Sequence, residues 1–461
     1  MVHQEEALQK STMTVTSVTA FMAPFMLSSV NVALPAIQAD LGADAVLLGW
    51  IATSYLLATA IVLVPVGKFA DIHGRKKVFL SGVIVFTLGS FLSVFVPSIE
   101  WFLAMRVVQG FGAAMFVTTG MAILTSVFPP AKRGRGIGIL VTAVYVGLAT
   151  GPFAGGFLTR YLGWRSIFGF MLLLGLGSIH VTVRYLQGEW AEARGERFDR
   201  AGSLLYAVSI FLLVYGATRI MEIKAALLFV AGCLGLVLFY AQQKRTPHPV
   251  VEVSLFHTNH TFLFSGLAAL IHYAATFAVT FQISLFLQYI KGMAPQAAGA
   301  VLMIQPVMMA LFSARAGRLS DRIEPRLLAS GGMGLTVLGL AVFVFLSATT
   351  PLWLVAANLA LLGFGFALFS SPNMSAIMGS VERRQYGIAS GTVATMRLLG
   401  QMASMTIATV FLAVFIGREE IRPQNYHLFQ TSMKSCFALF AVLCVIGLGF
   451  SLCRGRMRNE D

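Results

Sequence analysis

The sequence predicts an all-α membrane protein of fourteen transmembrane helices, built as two related six-helix halves with a two-helix insertion between them. Three observations predict it. Hydrophobic residues make up 57% of the 461-residue chain and charged residues only 11%, with a mean hydropathy of +0.80. A water-soluble chain of this length needs far more surface charge. Fourteen apolar stretches are each long enough to cross a bilayer, which takes ~20 residues. Finally, the loop Gly67-Lys68-Phe69-Ala70-Asp71-Ile72-His73-Gly74-Arg75-Lys76-Lys77 returns in weaker form as Gly317-Arg318-Leu319-Ser320-Asp321-Arg322-Ile323-Glu324-Pro325-Arg326. Internal duplication is a common way to build a transporter.

In chain order the spans are placed at 12–37, 47–66, 78–96, 102–128, 137–158, 167–186, 201–218, 225–241, 261–289, 297–316, 327–347, 352–369, 388–416 and 433–452. The Gly-x-x-x-Asp loop follows span two and recurs after span ten. If it marks the same place in each half, the second half starts at span nine, and spans seven and eight are an inserted hairpin. The expected division is 1–187, 188–260 and 261–461. The most polar connection, 188–200, precedes span seven, and a second polar stretch with Pro247 and Pro249 follows span eight.

The net charge of +14 raises nucleic-acid binding as a function class, but its distribution excludes it. Even-numbered connections and the two tails hold 23 Lys and Arg, odd-numbered connections hold eight, and Arg106 and Arg397 fall inside spans. This bias places both termini in the cytoplasm and the protein in the cell (inner) membrane, with some contact to anionic lipid. The Asn259-His260-Thr261 sequon is then cytoplasmic and without consequence. The first span is too long for a signal-peptide core and no small-residue cleavage site follows it, so no cleavable signal is expected. Cys233, Cys436, Cys444 and Cys453 all sit in spans and read as small apolar packing residues. No metal site is expected. No Gly-x-x-x-x-Gly-Lys-Ser/Thr loop occurs, so ATP is not the expected energy source, and no cofactor or catalytic constellation is visible.

Five features in order carry a family resemblance: Asn31-Val32-Ala33-Leu34-Pro35 ending span one, the loop from Gly67 to Lys77, Arg106-Val107-Val108-Gln109-Gly110-Phe111-Gly112 in span four, Gly147-Leu148-Ala149-Thr150-Gly151-Pro152-Phe153-Ala154-Gly155-Gly156 in span five, and the inserted hairpin. Over nearly its whole length the chain resembles the major facilitator superfamily, and within it the fourteen-helix drug:proton antiporter group (EmrB/QacA-like). The resemblance implies the major facilitator fold and a multidrug-type exporter working by alternating access.

The resemblance further implies a gate at Gly67, Asp71, Gly74 and Arg75. Asp71 and Arg75, four apart, are spaced to pair on one helical face. The acid would face a helix N-terminus of the other bundle, where the macrodipole favours negative charge, and steady the outward-open state. Gly317, Asp321, Arg322 and Arg326 would form the partner gate. The alternative is a tight turn whose charges serve topology alone. In span five, Gly147, Gly151 and Gly155 recur every four residues and give a smooth stripe for close helix approach. Pro152 removes one backbone hydrogen bond, and the stretch through Gly156 resembles the antiporter signature, whose close packing is expected against the other bundle. A plain packing helix is the other reading.

Arg106 inside a span costs ~2.5–3.5 kcal/mol on insertion scales, so it should face the interior or water and have a partner. Gln109 shares its face, and Arg397 with Gln401 forms a similar pair in the second half. Both pairs read either as substrate or proton coupling or as structural arginines. No carboxylate lies at mid-membrane, and Met26 stands where relatives often carry an Asp. A proton carrier must therefore be something else. His272, midway along span nine, titrates near neutral pH and is the best substitute; His180 lies nearer the cytoplasmic end. A hydrogen-bonded packing histidine is the alternative for each.

The expected cavity lining is Met26, Ser28, Asn31, Arg106, Gln109, His272, Gln282, Gln305, Arg397 and Gln401, with Asn358 as a further buried polar candidate. Thirty-seven Phe and 21 Met supply adaptable apolar walls. Two arginines without buried acids tilt the cavity positive, which favours an anionic or neutral amphiphile. The expected function is secondary active export of a lipophilic or amphiphilic small molecule, with the bilayer, that substrate and protons as candidate partners. Proton-independent facilitation or lipid-like amphiphile translocation is a second reading, and a non-transporting membrane sensor a third. Substrate identity, stoichiometry and oligomeric state are not readable from the residues.

Overall fold

Asp and Asn caps, helix-opening prolines and glycines set where the helices begin and end. In the computed structural model, which describes residues 2–219, 222–251, 254–382 and 386–455, fourteen helices are long and apolar enough to cross a membrane. Spans one to six are α1 (Val2–Leu41), α2 (Ala45–His73), α3 (Arg75–Ser93), α4 (Ile99–Val127), α5 (Pro130–Leu162) and α6 (Arg165–Tyr185). Spans seven and eight are α7 (Arg200–Thr218) and α8 (Ile223–Gln243), followed by the short α9 (Ser254–Thr258). Span nine comprises α10 (His260–Thr276), α11 (Ala278–Leu285) and a π-helical turn, Phe286–Ile290; span ten comprises α12 (Pro295–Leu302) and α13 (Ile304–Ser320). The last four are α14 (Pro325–Val344), α15 (Leu352–Gly379), α16 (Tyr386–Phe415) and α17 (Tyr426–Cys453).

Side-chain caps satisfy the free N–H groups at several starts. Asp44 accepts from Leu47 N at 2.7 Å, Asp199 from Gly202 N at 2.8 Å and Asn259 from Phe262 N at 2.9 Å. Asn259 also donates through Nδ2 to the Ser380 carbonyl at 2.5 Å, so the sequon side chain is fully engaged. Gly74, at φ +119°, joins α2 to α3 in a conformation that side chains rarely adopt.

The two breaks in spans nine and ten depart from the uninterrupted spans expected. At Phe277 the next backbone N–H, Ala278, is taken by Ser404 Oγ of α16 at 2.9 Å. At Met303 the cause lies three residues on, because Pro306 has no N–H to offer the Leu302 carbonyl.

Two equivalent six-helix bundles result. In the first, α1 packs on α5, α2 on α4, α3 on α4 and α6; in the second, α10 packs on α16, α13 on α15, α14 on α15 and α17. The match extends to single residues. Gly82 of α3 meets the Gly112 carbonyl of α4, and Gly332 of α14 meets the Gly365 carbonyl of α15. Such glycine-on-glycine crossings let backbones approach closely where no hydrophobic effect drives helices together. The inserted pair, α7 and α8, pack on each other, and α7 alone reaches α2 and α16. Its Tyr206 hydroxyl donates to the Ala60 carbonyl at 3.2 Å.

With an even number of spans, both termini lie on one face, called here the terminal face; the other is the distal face. The bundles meet through α5 on α12 and α13, α2 on α16, and α1 on α11. Their polar links lie toward the distal face. Ala45 N donates to the Glu419 carbonyl at 2.8 Å, Ser284 Oγ to the Asn31 carbonyl at 2.7 Å and Gln288 Nε2 to the Val32 carbonyl at 2.9 Å. Tyr289 OH donates to Gln38 Oε1, and Thr53 and Thr409 hydroxyls lie 3.4 Å apart. Among hydrogen bonds joining described residues of opposite bundles, the one nearest the terminal face is Ser313 Oγ to Tyr145 OH, 3.3 Å. Beyond it, no hydrogen bond between described residues joins the bundles and Arg397 of α16 is exposed, which marks a cleft toward that face. Of the charges counted above, Arg383, Arg384, Arg456 and Arg458 lie outside the described residues.

Candidate functional site

The cleft is walled by α5 on one side and by α10, α13, α15 and α16 on the other. Arg397 of α16 is exposed there. The half-buried Tyr273 of α10 neighbours Arg397 and Ser370 of α15, with Tyr145 of α5 facing it from the other bundle. Arg397 and its tyrosine neighbours thus join elements of both bundles. The sequence pointed to Arg397 with Gln401, which is half-buried one turn further along α16. It missed Tyr145, Tyr273, Ser313 and Ser370. Their signal was weak, since uncharged hydroxyls occur throughout the spans.

Arg106 and Gln109 sit elsewhere, sealed inside the first bundle at 0% exposure each. Arg106 Nε donates to the Ile51 carbonyl at 3.2 Å and Nη1 to Gln109 Oε1 at 2.7 Å. The guanidinium lies over the Tyr55 ring at 4.5 Å from its centroid, a cation–π contact strengthened by the dry surroundings. Gln109 Nε2 in turn donates to Ser93 Oγ at 3.2 Å and Ser90 Oγ at 3.4 Å. The helical face shared by Arg106 and Gln109 is therefore real, but it points into the bundle between α2, α3 and α4 rather than into the cleft.

The placement of His272 in a cavity is corrected by the structure. Its ring is fully buried within the second bundle, stacked on Phe369 with centroids 4.1 Å apart, and Nε2 lies 3.3 Å from Thr336 Oγ1. It is not beside Arg106, whose partners are all in the first bundle. Asn358 is likewise internal, donating to the Gly339 carbonyl at 2.8 Å. His180 is exposed on the outer surface of α6, near Tyr185. Replacing His272 with alanine should remove a buried aromatic contact and leave a cavity, costing about 2–4 kcal/mol. The expected outcome is a lower melting temperature in detergent with any pH-driven accumulation intact. Lost accumulation at an unchanged melting temperature would restore a coupling role.

The other expected lining residues divide between bundle contacts and internal packing. Met26 is fully buried. Ser28 Oγ bonds back to the Pro24 carbonyl at 2.8 Å, and the Asn31 carbonyl receives Ser284 across the distal seam. Gln282 is fully buried in α11, with no hydrogen-bond partner for its amide among the described residues. Gln305 Oε1 accepts from Thr280 Oγ1 at 3.5 Å. These residues lie in the closed, distal part of the molecule or within one bundle.

The Gly67–Lys77 loop is held more tightly than its own residues require. Arg75 is only 7% exposed and donates through Nε to Asp71 Oδ1 at 2.7 Å. Its other nitrogens form a fork on Glu192, at 2.6 and 2.9 Å, and reach Ser126 Oγ at 2.8 Å. Glu192 belongs to the connection before α7. So do Glu189, which accepts from Lys76 N at 2.8 Å, and Glu196, which binds Lys68 Nζ at 2.5 Å and lies 3.3 Å from His248 Nδ1. Backbone bonds from Arg75 N to the Trp190 carbonyl and from Ala193 N to the Asp71 carbonyl complete a clasp. The sequence carried a signal for it: acids at 189, 192 and 196 match the basic loop in sign and spacing. Hydrogen bonds from the Arg75 guanidinium, with its charge and the Ser126 hydroxyl, hold the Glu192 carboxyl below its ordinary 4.5 against the opposing effect of burial.

The second loop copy is built differently. Gly317 lies beside Ser371 with room for a side chain, Asp321 and Arg322 are exposed, and Arg326 donates to the Leu452 carbonyl at 3.4 Å. The buried guanidinium on this side belongs to Arg454, 2% exposed, which donates to Asn373 Oδ1 at 2.7 Å and the Pro325 carbonyl at 3.0 Å. Its position in the tail gave it only a topological reading in the sequence.

The glycine stripe of α5 also needs correction. Gly147, Gly151 and Gly155 face α1, against Phe21, Ser28 and Ser29, not the other bundle. Contact with the other bundle comes from the next face. Gly156 abuts the Pro295 backbone, and Gly299 of α12 abuts the Pro152 carbonyl.

This architecture, two equivalent bundles around a one-sided cleft, is that of a membrane transporter. A model of the Major Facilitator Superfamily matches residues 16–403 and 265–458, and the chain belongs to that family. It is 27% identical over 438 residues to the riboflavin transporter RibZ of Clostridioides difficile (strain 630), covering 93% of each chain. It is 31% identical over 395 residues to the multidrug resistance protein Stp of Mycobacterium tuberculosis (strain CDC 1551 / Oshkosh), covering 84% of this chain and 73% of that protein. Among solved structures, a bacterial homolog of the human lysosomal transporter Spinster superposes with a TM-score of 0.70 at 14% identity, covering 98% of this chain and 97% of that one. The protein is a secondary transporter of the major facilitator type.

Proposed function

We propose that this transporter exports an amphiphilic small molecule from the cytoplasm by alternating access, and that the structure is its inward-open state. The observation that carries the reading is the one-sided seam: polar links between the bundles lie toward the distal face, while Arg397 is exposed in the cleft beyond them. The positive-inside bias makes the terminal face cytoplasmic. The relative Stp is a multidrug resistance protein, which favours a drug-like amphiphile as the class of substrate.

In this reading residues 1–187 and 261–461 are the moving bundles, and 188–260 is the connection with its hairpin. Gly67, Asp71, Gly74 and Arg75 form the gate, released in the inward-open state and held by the clasp. Asp71 would leave the clasp to meet the start of α16 when the cytoplasmic side closes. A second reading, proton-independent facilitation, draws support from the carboxylates of the described residues, all at helix ends or in connections.

Purified protein in liposomes, with an imposed pH gradient and anionic, neutral and cationic amphiphiles, separates the two. Accumulation against the substrate gradient is expected. Equilibration alone assigns facilitation, and no movement of any amphiphile overturns the substrate class. Reporter fusions at Lys10 and Arg458 are both expected to report cytoplasm; an external signal from either refutes the orientation.

A further inference from the structure

Arg106, Arg454 and Arg397 are not alike. Arg106 is 0% exposed and Arg454 is 2% exposed, each enclosed by carbonyls, amides or a ring. Structural arginines look like this, because a charge in an apolar interior must be surrounded by compensating dipoles. Arg397 is exposed instead, though it stands eleven residues beyond Tyr386, the start of α16, or roughly 17 Å along the helix. Gly400, on the same face one turn on, meets the Leu270 carbonyl and Tyr273 Cβ of α10, which turns Arg397 toward the cleft and not toward lipid.

Around it the groups are neutral. Tyr273, packed against Gly400 one turn from Arg397, and Ser370 are its neighbours, and Tyr145 approaches from the other bundle. Tyr145 OH accepts from Ser313 Oγ at 3.3 Å, so its own hydrogen remains to be donated. Among the described residues no carboxylate forms an ion pair with Arg397. A guanidinium has five N–H donors in a planar fork, and one phenol leaves most of them facing the cleft.

We propose that Arg397, Tyr273 and Tyr145 form an oxyanion subsite that takes the carboxylate of an amphiphilic substrate, whose apolar body lies along the cleft. The planar fork matches a carboxylate through two parallel hydrogen bonds, and phenol hydroxyls from α10 and α5 complete the shell. A carboxylate held this way touches both bundles at once, so the same contact that selects it also draws α5 toward α16 and α10. This deepens the exporter reading and rests on it for calling the ligand a substrate.

The test uses the purified full chain in detergent and two fluorescent probes of the same body, 1-pyrenebutyrate and its primary amide, read by equilibrium binding. The wild type is expected to bind the carboxylate at least tenfold tighter than the amide. Arg397→Gln should abolish that preference while leaving amide affinity within about twofold, and Arg397→Lys should keep part of it. Equal affinity for the two probes in the wild type, no binding of either probe, or an unchanged preference in Arg397→Gln overturns the proposal. If Arg397→Gln does not fold, Tyr145→Phe reads the same quantity: a preference reduced about threefold supports the subsite, and an unchanged one overturns it. Liposome transport is scored separately. A carboxylate preference in binding with no movement of any amphiphile would sink the exporter reading and leave the subsite standing.

Discussion

Replacing Gly299 with alanine is expected to hold the distal face open and to stop transport while the protein still folds. A Cβ at Gly299 would lie 2.7 Å from the Pro152 carbonyl carbon and 3.2 Å from Phe153 Cα. At the reciprocal position, a Cβ on Gly156 would lie 2.8 Å from the Pro295 carbonyl carbon and 2.9 Å from Gln296 Cα. The obstructing atoms are backbone on both sides, so no rotamer change relieves the overlap. The bundles themselves must part. Overpacking of this kind costs about 1–3 kcal/mol, which shifts an equilibrium between two states by roughly 5–150-fold. The cost falls only on the state in which α5 and α12 touch. Nitroxide labels at Ala39 and Arg418 should report a longer distal separation in Gly299→Ala than in the wild type, and liposome transport should fall at least tenfold. An unchanged distance with normal transport would show that the seam is soft enough to absorb a methyl group.

The second large effect is expected at the clasp. Asp71→Asn should lower transport at least tenfold while expression stays near the wild-type level, because asparagine keeps the shape of the gate and removes its charge. Glu192→Gln alone should do far less. Its side chain is 67% exposed, and exposed ion pairs contribute little, while Asp71 still faces the cation. The double replacement leaves the buried Arg75 with neutral acceptors alone, and stranding a buried charge costs about 3–5 kcal/mol. Loss of folded protein in the double variant, by size-exclusion chromatography, is the expected readout. Normal turnover in Asp71→Asn would leave the loop with topology as its sole role. Glu192 is held below its ordinary 4.5 by Arg75, so its contribution is present at and above that value and is lost as pH falls further. The clasp should therefore resist proteolysis between Leu186 and Arg200 equally at pH 5 and pH 8.

Much of the fold was legible because hydropathy along a chain registers directly as spans, and because duplication left marks at fixed intervals. The interval separating Asp71 from Asp321 also separates Gly82 from Gly332, so the loop motif and the glycine crossing agree on where the second half begins. What the sequence withheld was rotation. A helix that is apolar on every side gives no sign of which face meets lipid, its own bundle or the other bundle. That is why His272 was expected in a cavity and lies against Phe369 instead, and why the Gly147–Gly151–Gly155 stripe was expected to face the other bundle and packs on α1. Arg106 and Arg397 read alike as charges within spans, yet one is sealed and one is open. Their neighbours decide this, and those neighbours arrive from helices distant in the chain. The breaks at Phe277 and Met303 were hidden for a related reason: one depends on a serine of α16 and the other on a proline three residues downstream.

The placement of α7 makes the two sides of the molecule unequal. It leans on α2 and α16 together, covering the line where the bundles part on that flank. No further described span bridges α5 and α13 on the opposite flank. With the terminal face cytoplasmic, as proposed above, a molecule dissolved in the leaflet on that side would meet a flank covered by α7 on one side and the uncovered α5–α13 seam on the other. On that reading a lipophilic cargo captured sideways from the bilayer would enter by the uncovered seam, with the inserted hairpin as the jamb that fixes the side.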